Sequence, residues 1–499
     1  MEDTARPATQ SDHDVLIVGA GISGIGMAAH LGMKLPDLTY TILERRDDLG
    51  GTWDLFRYPG IRTDSDMHTF GYEFEPWRSE NRIVSAQNIK DYLNGVIDKH
   101  DIRRRIQYGQ HVVSADFRHE DARWHVVVEA DGVQRKVTAN WLFLGTGYYD
   151  YDQAYDAGFD FSNFEGEVLH PQFWPDDLDY AGKNVVVVGS GATAITIVPV
   201  MAQQAAKVTM LQRTPTWIRN IPSQDRIARF LRKILPEDLA YKIIRWRNIR
   251  LTDFMIKRCE THPQQVAEHL TKRAQESLGD KYREADFTPP YRPWEQRMCF
   301  IPDDDLFEAI NRGKAEVVTD TIDRFEGREV VLKSGKRVPA DIVVTATGLQ
   351  LAMAGKIALS VEGEQVNFRD HFYYKGCMFS NIPNFSTFFG YTNASWTLRV
   401  DVVGNYICRL FAHMKATGAE IATPYLPADH RMEREEFFNL SSNYIKRSLD
   451  MLPSNGPVWP WQLGMDYLED RKVMRATPVV DGVLRFENAH SEERRQAAE

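Results

Sequence analysis

Two stretches of the chain share one hydrophobic design. From Asp14 to Leu31 (DVLIVGAGISGIGMAAHL) an unbroken apolar run, Val15 to Val18, ends in Gly19-Ala20-Gly21-Ile22-Ser23-Gly24 and passes into small and apolar residues. From Asn184 (NVVVVGSGATAITIVPVMA) a valine run ends in Gly189-Ser190-Gly191-Ala192-Thr193-Ala194 and does the same. A strand with no polar face is buried on both sides, as in a parallel sheet between helices. Strand, glycine turn and helix predict two βαβ units. Between Pro222 and Pro290 glycine nearly vanishes, while Arg, Lys, Leu and Ile recur at helical spacing. That pattern predicts a helical insertion inside the second unit. Strands are predicted again at Ala315–Val318, Val330–Leu332 and Asp341–Thr345, and the charged tail from Ser491 is expected to fray. The small residues of Phe143–Gly147 and Asp341–Gly348 fit strands that return to the sheets beside a ligand.

Composition narrows the class. Of 499 residues, 43% are hydrophobic and 26% charged, which is ordinary globular usage. A net charge of −10 argues against a nucleic-acid partner. The four cysteines, Cys259, Cys299, Cys377 and Cys408, form no CxxC pair for redox or zinc, and no metal site is expected. The polar, acidic start MEDTARPATQSDHD lacks a signal peptide's apolar region. No apolar run approaches the roughly 18 residues of a membrane span, so a soluble, cytoplasmic protein is expected. The insertion carries 14 Lys and Arg against 8 Asp and Glu from Asp225 to Arg283, with Ile243, Ile244, Trp246 and Phe254 among them. Weak peripheral membrane contact there ranks below a solvated helix face packed on the core.

The first glycine turn assigns separate jobs. Gly19 makes the tight turn, Gly21 lets the backbone approach a pyrophosphate, and Gly24 lets helix and strand pack closely. The helix N-terminus then offers free N–H groups to phosphate. Glu44 follows Gly19 by 25 residues, placed for the hydroxyls of a ribose. Just beyond it, Leu49-Gly50-Gly51-Thr52-Trp53-Asp54 resembles the loop that lies along FAD in flavoprotein monooxygenases.

The second turn, Gly189, Gly191 and Ala194, is the GxGxxA variant. Its following strand ends at Gln212-Arg213, where the first unit has Glu44. A guanidinium attracts the 2′-phosphate that a carboxylate would repel, so this site is expected to prefer NADPH. FAD and NADPH sites in one chain are the architecture of a flavin oxidoreductase. The expectation is an α/β protein of two Rossmann-like dinucleotide-binding domains. FAD binding takes 1–150 and 341–499, a linker 151–180, and NADPH binding 181–340 with the insertion at about 222–290.

Between the two turns stands FEGEVLHPQFWP, which reads FxGxxxHxxxWP through Phe164, Gly166, His170 and Trp174. It resembles the fingerprint of type I Baeyer–Villiger monooxygenases, and the stretch from about Asp14 to Asp481 resembles their ethionamide-activating branch. The resemblance implies that a ketone and O₂ give an ester or lactone through a C4a-peroxyflavin, with sulfides as further substrates. It implies Arg297, in Trp294-Glu295-Gln296-Arg297-Met298, as the cation facing the developing negative charge. Gln296 stands where the best-known branch often has lysine, which leaves more of the 2′-phosphate to Arg213. It implies Asp64 as the carboxylate that orients Arg297 in a dry site, with Asp66 a close competitor by sequence alone. FAD contacts are expected at Gly19, Gly21, Ser23, Gly24, Glu44, Thr52, Trp53, Asp54, Asp64 and Val112. NADP contacts are expected at Arg62, Thr63, Asp64, Gly189, Ser190, Gly191, Ala192, Thr193, Ala194, Gln212 and Arg213. Asn393–Thr397 is a candidate wall, although Trp396 is nearly as readily a buried structural residue. His170 reads as a hinge or linker residue rather than an acid–base group. The alternative is a flavin monooxygenase acting mainly on sulfur or nitrogen, against which Trp174 with Arg297 argues.

Overall fold

The computed structural model describes residues 12–436 and 447–489; the tail from Ser491 lies outside the described residues. The first apolar run forms β1 (His13–Val18), buried from Val15 onward, and helix α1 (Ile22–Lys34) follows the glycine turn. β1 pairs in parallel with β2 (Tyr40–Leu43) on one side and β3 (Val133–Leu144) on the other. Two antiparallel strands, His111–Arg118 and Arg123–Ala130, extend the sheet beyond β3. The strand Phe385–Thr387 also lies parallel to β3, so the C-terminal part of the chain returns to this sheet.

The second unit is an all-parallel, five-stranded sheet. Its core strand is β4 (Asn184–Val188), followed by α2 (Ala192–Met201) and β5 (Lys207–Gln212). β6 (Ala315–Thr319) flanks β5. On the other side of β4 lies β7 (Ile342–Thr345), and beyond it the short strand Glu167–Leu169. Two expected divisions move as a result. The boundary at 340/341 falls too early, because β7 belongs to the second sheet. The segment 151–180 is not all linker, because Glu167–Leu169 is that sheet's edge. Edge register is set by hydrogen bonds to distant strands, which local pattern does not display.

The helical stretch contains α3 (Arg226–Ile234), α4 (Glu237–Thr261) and α5 (Pro263–Leu278). It leaves and rejoins the second unit through paired parallel strands, Ile218–Ile221 and Cys299–Pro302. Arg245 of α4 ties it to the first unit: its Nη1 donates to the carbonyls of His68, Thr69 and Gly71, and its Nη2 lies 3.3 Å from Asp401. Asp401 sits on the long buried helix α6 (Trp396–Thr417), which packs closely on α1. A Cβ on Gly26 would stand 2.4 Å from Val400, so glycine is what lets these helices approach. Among the described residues no helix is long and apolar enough to cross a membrane.

Candidate active site

Both glycine turns adopt backbone conformations that L side chains resist: φ is +101° at Gly19 and +141° at Gly189. A Cβ at Gly19 would stand 2.8 Å from the Gly145 carbonyl oxygen, and one at Gly189 2.3 Å from that of Ala346. Each turn is thereby pressed against the end of a returning strand, as the small residues there predict. At Gly24 a Cβ would lie 2.0 Å from the Gly19 carbonyl oxygen, which fits its packing role.

A cavity of about 350 Å³ runs along the first turn. Gly21 and Gly51 face each other across it, a Cβ on Gly51 falling 3.3 Å from the Gly21 Cα. Two opposed glycines make a cradle that side chains would fill, and it fits a dinucleotide pyrophosphate. Glu44 borders the same cavity, its Oε2 accepting from Ala20 N–H at 2.7 Å and its Oε1 from Arg46 N–H at 2.9 Å. Burial pushes its carboxyl above the usual range, opposed by those backbone donors. Thr52, Trp53, Val112, Arg62, Thr63, Asp64, Ala192 and Thr193 border it as well.

Some expected contacts go elsewhere. Asp54 does not border the cavity: its buried carboxylate pairs with Lys90 at 2.6 Å and with Arg46 at 2.7 Å. Ser23 borders it, but its Oγ accepts the indole N–H of Trp396 at 2.8 Å. Trp396 lies stacked on Tyr148, ring centroids 5.4 Å apart, and both form the cavity wall. Gln212 is buried, and its Nε2 donates to the Asp286 carbonyl at 2.8 Å and to Thr319 Oγ1 at 2.9 Å. Its side chain is a brace inside the second unit. Arg213 next to it is exposed and makes no ion pair among the described residues. Gly191 and Ala192 are exposed too, with open space where a Cβ of Gly191 would stand. Open backbone N–H groups and a free guanidinium suit a phosphate-bearing nucleotide. Arg62 instead binds Asp305 at 2.5 Å and ties the two units together. Ser190 Oγ donates to the Thr214 carbonyl at 2.9 Å.

Arg297 Nη2 lies 2.6 Å from Asp64 Oδ2, as the resemblance implied. The surroundings are wetter than expected: the side chains are 41% and 39% exposed. The competitor Asp66 is engaged elsewhere, pairing with Arg82 at 2.7 Å, capping Met67–Phe70 through His68 N–H and accepting from Asn248 at 2.9 Å. Arg297 sits on a loop whose Trp294 holds φ +70°, an uncommon conformation for a bulky side chain and one that clusters at functional positions. The pair borders both the first cavity and a second one of about 1500 Å³ between α4, α5 and the start of α6. Asn393 borders the second cavity, and its buried Oδ1 has no hydrogen-bond partner among the described residues.

The fingerprint residues stand apart from both cavities. Phe164 packs edge-on against Phe325, and a Cβ on Gly166 would stand 2.5 Å from the Asp341 carbonyl oxygen, beside β7. His170 Nε2 lies 3.3 Å from the Gly348 carbonyl, and its Nδ1 accepts from Gln172 N–H at 3.1 Å. Trp174 packs on the core of the second unit. All four cysteines are buried and free; Cys299 borders the first cavity, but burial pushes its thiol up to about 12, which keeps it protonated. No His, Cys, Asp and Glu cluster suited to a metal occurs among the described residues. Sequence reasoning missed Tyr148 and Arg219. Arg219 borders the large cavity with only the Met255 sulfur as side-chain hydrogen-bond partner among the described residues.

The model of a flavin-binding monooxygenase-like family matches residues 12–356. The chain is 46% identical over 480 residues to the probable FAD-binding monooxygenase AlmA of Acinetobacter baylyi, covering 95% of this chain and 96% of that one. It is 44% identical over 476 residues to the FAD-containing monooxygenase EthA of Mycobacterium tuberculosis, covering 95% and 97%. Its fold is similar to that of an oxidized steroid monooxygenase bound to NADP, with a TM-score of 0.76, 21% identity and coverage of 95% and 99%.

Proposed function

This chain belongs to the flavin-binding monooxygenase-like family, and on that footing we propose that it is an FAD- and NADPH-dependent Baeyer–Villiger monooxygenase converting ketones to esters or lactones with O₂. The observation that carries the reading is the Arg297–Asp64 pair at the wall common to both cavities. Bound and reduced by NADPH, FAD supplies the activated oxygen.

The chain's own residues supply position and charge. The Gly21–Gly51 cradle and Glu44 hold the flavin dinucleotide along the first cavity. Arg213 and the open turn at Gly191 hold the nicotinamide dinucleotide through its phosphates. Arg297 stays charged at any working pH and presents planar donors to negative charge developing on oxygen. Asp64 fixes the orientation of that fork at 2.6 Å and offsets its charge in the resting protein. Tyr148 and Trp396 form a stacked aromatic wall of the first cavity. Burial pushes the Tyr148 phenol well up, so it remains a neutral hydrogen-bonding group on Tyr149, 2.9 Å away.

The test uses the purified yellow protein with NADPH, air and a panel of linear ketones, cyclic ketones and a sulfide, read by gas chromatography. Esters or lactones are expected. Sulfoxide as sole product would overturn the ketone reading in favour of heteroatom oxidation.

A further inference from the structure

We propose that α3 and α4 form a docking face for an anionic lipid bilayer. Each helix packs one side on the protein and carries apolar residues on the side that faces water. On α4, Tyr241, Ile244, Arg245 and Asn248 are buried, facing the body of the protein. On the opposite side Leu239, Ile243, Trp246 and Phe254 stand in water, aligned by the 3.6-residue period of the helix. On α3, Ile227, Phe230 and Ile234 repeat the arrangement at i, i+3 and i+7. Ala228 of α3 packs against Ala240 and Ile244 of α4, so the two helices present their outer sides together.

Single exposed apolar side chains are ordinary on a protein surface. Here, with Leu251, eight of the seventeen exposed large hydrophobic residues in the described chain fall between Ile227 and Phe254. Phe230 is 60% exposed, and Trp246 and Phe254 are 62% exposed. A patch of this kind marks an interaction surface.

Charge selects the occupant. Arg226, Lys233, Lys242 and Arg250 are exposed on these helices and form no ion pair among the described residues. The exposed acid in the same stretch, Asp238, is held by Arg78 at 3.5 Å. A locally cationic, apolar surface on a chain of net charge −10 complements a surface with negative headgroups over an apolar layer. Leu251 and Phe254 also border the large cavity that reaches Arg297. Docking therefore puts the rim of that cavity against lipid, and membrane-dissolved ketones become the substrate class. That last step rests on the monooxygenase reading; the docking itself rests on the surface.

Full-length, FAD-loaded protein is floated with vesicles of phosphatidylcholine alone and of phosphatidylcholine mixed with phosphatidylglycerol. It is expected to float with the mixed vesicles only, and less as salt is raised. Phe230→Ser/Trp246→Ser, which touches neither cavity, should lower the partition by about tenfold or more. Arg226→Gln, Lys233→Gln, Lys242→Gln and Arg250→Gln should each lower it by about fivefold while leaving the apolar side intact. Absence of flotation, or flotation unchanged in the Phe230→Ser/Trp246→Ser protein, would overturn the proposal. So would a wild-type dimer that this double variant turns into monomer without any vesicle binding, since the face would then belong to a second copy. NADPH-dependent oxidation of a water-dissolved ketone is measured on the same proteins. Oxidation intact without flotation overturns the docking alone; flotation without oxidised product overturns the monooxygenase reading alone.

Discussion

Asp64 holds Arg297 by a 2.6 Å contact at the wall that the small cavity along the first glycine turn shares with a larger one. The two residues come from different parts of the chain: Asp64 from the loop after the first unit's second glycine pair, Arg297 from the loop by which the helical insertion rejoins the second unit. Their contact thus places a fixed cation where the two cofactor-binding units meet.

Removing the anchor should loosen the cation without emptying the site. Asp64→Ala is expected to keep FAD bound and reducible by NADPH while lowering ester formation by about 10²-fold, the typical penalty for a small misplacement of a positioned group. Product per NADPH consumed, measured beside peroxide release, checks it.

Arg213 and Gln212 are neighbours with opposite expected phenotypes. Arg213→Ala should raise KM for NADPH by about tenfold or more and leave NADH nearly unchanged, since a charge-assisted hydrogen bond to phosphate is worth roughly 1.5–3 kcal/mol. Gln212→Ala should leave the NADPH preference intact and lower stability by about 1–3 kcal/mol, because its buried amide braces Asp286 and Thr319. Steady-state kinetics with both nucleotides and thermal unfolding separate the two.

Gly24→Ala tests the first turn. Its Cβ would collide with the Gly19 carbonyl oxygen, which is backbone and has little room to yield. We expect a loss of about 1–3 kcal/mol or more and protein that no longer retains its yellow colour. Flavin content per chain after gel filtration reads the outcome.

The turn at Gly19, Gly21 and Gly24 and the second turn were legible because their conformation depends on local backbone geometry at fixed spacing. The contact of Asp64 with Arg297 was legible only by resemblance, since Asp66 competes in the same loop and is set aside by Arg82 and Asn248. Side-chain partners that lie far away in sequence were not legible. Asp54 turns to Lys90, 36 residues away, Gln212 to Asp286, 74 away, and Ser23 to Trp396, 373 away. Such partners exist only after the sheets assemble. The same holds for β7, which belongs to the second sheet through pairing with β4 and Glu167–Leu169.

His170 gives a pH dependence of stability. Burial lowers its pKa in the folded protein below the ordinary 6.5, partly countered by the Gly348 carbonyl. A depressed histidine pKa means that the unfolded chain binds the proton more readily, so stability rises with pH. The contribution is full above about 6.5 and falls away as pH drops through the folded value. His170→Asn should flatten that acid limb of Tm against pH without changing which product forms.

The central claim is tested most directly by Arg297→Ala, assayed for ester or lactone formed per NADPH consumed with a ketone that the wild-type protein oxidises. Removing one preorganised donor to a developing oxyanion costs roughly 10²–10³ in rate. The account predicts a protein that keeps FAD, consumes NADPH and releases peroxide with almost no ester. An Arg297→Ala protein that makes ester at the wild-type ratio would contradict it.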